Sequence, residues 1–132
     1  MTTPGAAGTG LVFALCLALS ACTAGSGAES NSMMATGNAH EGKQLIGQYG
    51  CGACHIVPGV RGARGLVGPP LYYWGDRTII AGELPNTPDN LIRWLENPKA
   101  IEPKNAMPDL GLSKEQATDI AAYLYTLHRS GD

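Results

Sequence analysis

Apolar and polar positions recur with helical spacing in three stretches of the chain, and each stretch has readable ends. The first runs from Ala39 to about Tyr49. Leu45, Ile46 and Tyr49 fall on one face, Asn38 stands at the N-cap, and Glu41 occupies the third helical position, as in a capping box. Gly42 continues the same stripe by one turn. A glycine inside a helix costs about 1 kcal/mol against alanine, so its presence points to close approach of another backbone. The second stretch is "NTPDNLIRWLENP". Thr87 is placed to cap it, Pro88 suits the first helical position, and Asp89 faces the positive end of the helix dipole. Leu91, Ile92, Trp94 and Leu95 supply its apolar face, and Pro98 is expected to end it. The third begins at Ser113, which pairs with Gln116 in capping-box spacing, and carries Ile120, Tyr123, Leu124 and Leu127 as its stripe. The pattern predicts an all-α domain of three main helices over residues 38–132.

Between the first and second helices lies "IVPGVRGARGLVGPPLYYWGDRTIIAGELP", dense in Gly and Pro. So long an irregular loop is unusual in a compact domain unless it wraps around something. Thr78–Ile80 reads as a short extended piece without a clear pairing partner.

The N-terminal region reads differently. "LVFALCLALSA", Leu11 to Ala21, is an apolar run. It is shorter than the roughly 20 residues a membrane span needs, and it fits the apolar region of a secretory signal, with Cys16 a small apolar residue within it. "LSAC", ending at Cys22, resembles the lipobox of bacterial lipoproteins. That resemblance implies a signal over residues 1–21 and lipidation of Cys22, although Met1–Gly10 has no lysine or arginine. Residues 22–37, rich in Ser, Gly, Ala and Thr, read as a flexible tether with an r.m.s. span of about 20 Å that includes Met33 and Met34. The expected location is outside the cytoplasm, on a membrane surface.

At 132 residues, with nine Lys+Arg against eleven Asp+Glu, the chain is mildly acidic and sized for one domain. It has no basic run and no basic–aromatic interleaving, which argues against nucleic acid as a partner. A domain this small buries a modest core and is often marginal without a staple, which favours a cofactor serving as part of the core.

The chemistry centres on "CGACH", Cys51 to His55. A zinc site would need further ligands, and His40 and His128 are single and distant. A redox dithiol would sit within a βαβ pattern, which is missing here, and a plain disulfide would leave the adjacent histidine without a role. C-x-x-C-H reads instead as a covalent haem attachment site. Cys51, Cys54 and His55 stand at i, i+3 and i+4, on one side of a helical turn. Two thiols can then reach the two vinyl groups on one porphyrin edge, with the histidine beneath the iron. For the sixth ligand, Met33, Met34, Met107, His40 and His128 are available.

From Asn38 to about Arg129 the chain resembles the class I cytochromes c, in "CGACH", "GPPL", "LIRWLENP", "AMPDLGLS" and "IAAYLYTL" taken in that order. The resemblance implies the class I cytochrome c fold: helices and Gly/Pro-rich loops around one haem c. It implies that Met107 binds iron opposite His55, and that the Pro69 carbonyl accepts the other ring N–H of that histidine. Arg77 matches the family's propionate-binding arginine, and Trp94 a position where an aromatic packs against the haem. Gly42 and Ile46 match the first-helix pair that crosses the last helix near Ile120 and Tyr123.

What the resemblance implies about function is a single-electron carrier. The wording from Gly82 to Ser113 is closest to cytochrome domains associated with haem–copper oxidase subunit II. That implies electron delivery toward a terminal oxidase, with an upstream cytochrome complex or dehydrogenase as donor. Lys99 and Lys104 flank the Met107 loop, where they are solvated charges or steer an acidic partner. Other classes stay open: a fixed subunit of a dehydrogenase or oxidase complex, and a peroxidase or gas sensor in which Met107 is displaced.

Overall fold

The structure, a computed structural model, describes residues 1–2 and 37–129. The expectations for the signal, for Cys16 and Cys22, and for Met33 and Met34 lie outside the described residues.

The described residues form four helices: α1 (Ala39–Gln48), α2 (Pro88–Glu96), the single turn α3 (Pro98–Ile101) and α4 (Lys114–Tyr125). Single 3-10 turns lie at Cys51–Ala53 and Trp74–Asp76. The caps are those the sequence indicates. Asn38 Oδ1 accepts the amides of His40 and Glu41 at 3.1 Å each. Thr87 Oγ1 accepts Asn90 N, and Ser113 with Gln116 completes a reciprocal box. Each such cap contributes about 1 kcal/mol.

Two local expectations need correction. Glu41 does not close a box on Asn38. The Asn38 amide donates instead to Asp119 Oδ1 of α4 at 2.7 Å, which binds the start of α1 to the last helix. Nor does Pro98 simply stop α2. Asn97 closes that helix and at once caps α3 through Oδ1 to Ala100 N, so Pro98 becomes the first residue of a new turn.

The core forms where α1 and α2 each pack on α4. Leu45 and Ile46 of α1 are buried together with Leu91, Ile92, Trp94 and Leu95 of α2 and Ile120 and Leu124 of α4. Each large aliphatic among them contributes about 1.5–3 kcal/mol on burial. The α1–α4 crossing is close because Gly42 has no side chain. A Cβ there would lie 1.9 Å from the Asp119 carbonyl oxygen and 2.9 Å from Ile120 N. Gly37 also sits close on α4, where a Cβ would come within 2.7 Å of the Thr118 carbonyl oxygen.

The extended piece at Thr78–Ile80 does have a partner. Strands β1 (Ile79–Ile80) and β2 (Leu84–Pro85) pair antiparallel, Ile80 opposite Leu84. Their tight turn has Ala81 at φ 52° and Gly82 at φ 84°, with Glu83 N donating to the Ile80 carbonyl. Two consecutive positive φ angles make the primed turn that suits strand twist.

Candidate functional site

The CxxCH segment is positioned by the end of α1. Tyr49 closes the helix, Gly50 turns the chain at φ 68°, and Cys51–Ala53 form the 3-10 turn. Cys54 N and His55 N both donate to the Cys51 carbonyl, at 3.2 and 2.9 Å, which stacks Cys51, Cys54 and His55 along one side. Both thiols are free and half-buried. Burial raises the Cys51 thiol pKa above its ordinary value, the neighbouring Cys54 adds to this, and a backbone hydrogen bond offsets part of it. A redox dithiol needs the opposite shift, toward thiolate.

The long loop is stitched onto this turn. Gly65 N donates to the Gly52 carbonyl (2.9 Å), Gly68 N to the Cys54 carbonyl (2.8 Å) and Leu71 N to the Ile56 carbonyl (2.8 Å). His55 is held from the same loop: its Nδ1 lies 2.7 Å from the Pro69 carbonyl oxygen. A carbonyl can only accept, so Nδ1 carries a proton, and it is Nε2 that is left to bind a metal. Gly68 lies flat against the ring; a Cβ there would be 2.3 Å from Cε1. The imidazole is therefore fixed in tautomer and orientation, with one nitrogen available as a donor.

Further along the loop, Tyr73 at φ 52° leads into the turn that carries Trp74 and Arg77. Arg77 donates to the Pro70 and Tyr72 carbonyls and its guanidinium lies over the Trp74 ring, 5.2 Å from the centroid. Burial lowers the Arg77 pKa, and no carboxylate pairs with it among the described residues. Trp74 is buried, and its indole N–H has no acceptor among those residues. Sequence reasoning singled out Trp94, which is buried on α2, and passed over Trp74. The signal available was the aromatic run "YYW" directly before "GDR".

The C-terminal segment clasps this turn. Asp76 accepts from His128 Nδ1 and from the Arg129 amide, both at 2.7 Å. The Arg129 amide, then His128, hold the Asp76 carboxyl below its ordinary pKa. Met107 lies on the loop between α3 and α4, half-buried against the core. That loop is braced by Asn105, whose Nδ2 donates to the Pro98 and Glu102 carbonyls. Lys99 Nζ donates to the Asn105 carbonyl, so this lysine is engaged within the loop.

An imidazole held through Nδ1, a thioether on another loop, two unpaired thiols at haem-attachment spacing, and donor groups at Trp74 and Arg77 that lack an anionic partner among the described residues are the fittings a haem requires. Fold and site together define an all-α, single-haem, electron-transfer protein. The cytochrome c family model matches residues 39–128. The chain is 34% identical over 90 residues to cytochrome c oxidase subunit 2 of Alkalihalophilus pseudofirmus, covering 67% of this chain and 25% of that one. It is 34% identical over 93 residues to cytochrome c oxidase subunit 2 of Bacillus sp. strain PS3, covering 67% and 26%. The chain thus spans about a quarter of the length of the curated relatives it matches. It belongs to the cytochrome c family, as a class I member related to oxidase subunit II, and its cofactor is covalent haem c.

Proposed function

We propose that this chain carries single electrons in a bacterial respiratory chain, from an upstream cytochrome complex or dehydrogenase toward a terminal oxidase. It would do so at the outer face of the cytoplasmic membrane or in the periplasm, held there by lipid on Cys22. The observation that carries the reading is the Nδ1–Pro69 bond at 2.7 Å, which orients His55 and leaves Nε2 for a ligand, in the segment that carries two free thiols. The haem, when bound, supplies an iron that exchanges one electron.

The chain's own residues do the rest. Cys51 and Cys54 would hold the haem through thioethers. His55 Nε2 and Met107 Sδ would hold its iron, a pairing that would raise the reduction potential relative to stronger donors. The Pro69 carbonyl keeps His55 basic and oriented. Arg77 and the Trp74 N–H offer donors to the propionates, and Trp94 adds an apolar wall. An anion beside Arg77 would relieve the cost of its burial, and the same anion within reach of Trp74 would satisfy a buried donor.

Met107→Ala is expected to abolish the weak far-red absorption band of methionine-bound ferric haem and to lower the reduction potential, with covalent haem retained. A variant whose spectrum matches the wild type would remove Met107 from the iron. For the anchor, Cys22→Ala is expected to move the protein from the membrane to the soluble fraction on cell fractionation. A wild type already soluble, with no change in the variant, would end that part of the reading.

The relatives favour one second reading, a fixed subunit of an oxidase complex. Co-purification with an oxidase from detergent extract, at constant stoichiometry, would support it over a free shuttle.

A further inference from the structure

Just before α2 stands a side chain whose polar atoms are all engaged. Asn86 directly precedes the Thr87 cap of that helix. Its Nδ2 donates to the Trp74 carbonyl at 3.0 Å and to the Arg77 carbonyl at 2.9 Å. Its Oδ1 accepts the hydroxyl of Tyr125, the last residue of α4, at 2.8 Å. Its backbone amide donates to the Thr78 carbonyl at 2.9 Å. The orientation of the side-chain amide is settled by its partners, since the two carbonyls only accept and the phenol donates to the oxygen. Burial pushes the Tyr125 pKa up to about 12, so the phenol keeps its proton at neutral pH.

Asn86 therefore grips both ends of the turn that runs from Trp74 to Arg77. That turn needs holding. Tyr73 leads into it at φ 52°, a left-handed backbone that a non-glycine residue keeps only where its surroundings over-determine it. The clasp from His128 and Arg129 acts on Asp76, between the two carbonyls that Asn86 holds. Trp74 and Arg77 are the residues whose donors lack an anionic partner among the described residues. A hydrogen bond weakens steeply with misalignment, so what these donors can do for an anion depends on how firmly the turn is fixed.

We propose that Asn86 is a positioning residue for the carboxylates of the cofactor: it aims the Trp74 indole N–H and the Arg77 guanidinium, and through them it raises the reduction potential. This rests on the haem reading above, in which those two groups face the propionates. Reduction adds one negative charge at the iron. Donors held on a propionate offset part of its negative charge, which favours the ferrous state. Donors that drift leave that charge uncompensated and admit water, and both changes favour the ferric state.

The test uses the full haem-loaded chain and reads its potential by spectroelectrochemical titration. Asn86→Ala is expected to shift the equilibrium about tenfold toward the ferric form, which for one electron is about 59 mV. Tyr125→Phe, which removes a single hydroxyl, should shift it about threefold in the same direction. Asn90→Ala is the control for a merely structural loss. Asn90 Nδ2 holds the Pro85 carbonyl at the same helix start, at 3.0 Å, so its removal should lower Tm and leave the potential in place. The Trp74 indole N–H should exchange with deuterated water about tenfold faster in Asn86→Ala, while the Trp94 signal stays as in the wild type. In a chain already carrying Trp74→Phe, the Asn86→Ala shift should shrink, because the two residues act through one contact. Unchanged potentials in both Asn86→Ala and Tyr125→Phe, with the haem intact, would overturn the proposal and leave the electron-transfer reading standing. An equal shift in Asn90→Ala, or full additivity with Trp74→Phe, would overturn it as well. Should Asn86→Ala fail to take up haem, Tyr125→Phe and its coupling to Trp74→Phe decide the same question. A wild-type chain without covalent haem would defeat the electron-transfer reading first.

Discussion

Cys51→Ser/Cys54→Ser is expected to yield a chain with no covalent haem, which gives no band on a haem-stained denaturing gel. Its apo domain should lose the larger part of its stability, about 5 kcal/mol or more, because a ligand bound only to the native state adds directly to folding free energy. The physical reason lies in how the long loop is built. Residues 56–71 have few large buried side chains, and they are held to the CxxCH turn mainly through the amides of Gly65, Gly68 and Leu71 and through His55 on Pro69. Without the group this loop encloses, those bonds compete with water. Thermal unfolding followed by circular dichroism reads the stability loss. His55→Ala separates the roles: it should retain the haem stain while losing the low-spin spectrum. A haem stain that survives the double serine variant would refute the assignment of the two cysteines.

The second large effect concerns a residue far from the cofactor chemistry. Gly42→Ala is expected to destabilise the domain by about 3 kcal/mol, lowering Tm by roughly 12–20 °C. The added methyl would sit 1.9 Å from the Asp119 carbonyl oxygen and 2.4 Å from its carbon. Both are backbone atoms, so no rotamer change makes room, and the helices must move apart. Gly47 provides the control within the same helix, since nothing lies within 4 Å of where its Cβ would be. Gly47→Ala should therefore gain about 1 kcal/mol from helix propensity alone. If both substitutions stabilise, the α1–α4 crossing is not as close as described.

These positions show what was legible in the sequence and what was not. The caps at Asn38, Thr87 and Ser113 were readable because a cap is decided within four residues. Gly42 was readable because it falls on an apolar stripe where its propensity cost needs a reason. The replacement of Glu41 by Asp119 at the Asn38 amide was not, because it depends on a contact 81 residues away. The hairpin escaped because its turn begins with Ala81 at a positive φ, where Asn, Asp or Gly is the recognisable signal. Pro98 was read by its usual role as a helix stop, but Asn97 can serve two helices at once, and only its placement shows that. Within the site, CxxCH pointed to the cofactor through its spacing and adjacent histidine, together with the missing βαβ pattern and the missing further zinc ligands. Trp74 carried no periodic signal in an irregular loop, and it stands out only because its N–H is buried without an acceptor.

The attachment of Gly37 and Asn38 to α4 determines how the domain can be hung from a surface. The chain enters at the Asp119 end of the helix crossing, and the CxxCH turn lies beyond the far end of α1, ten residues or about 15 Å away. The entry point and the CxxCH turn therefore stand at opposite ends of one helix. Whatever holds the chain at its entry, the length of α1 keeps the CxxCH turn clear of it, and no rearrangement inside the domain is needed to leave that turn open to an encounter.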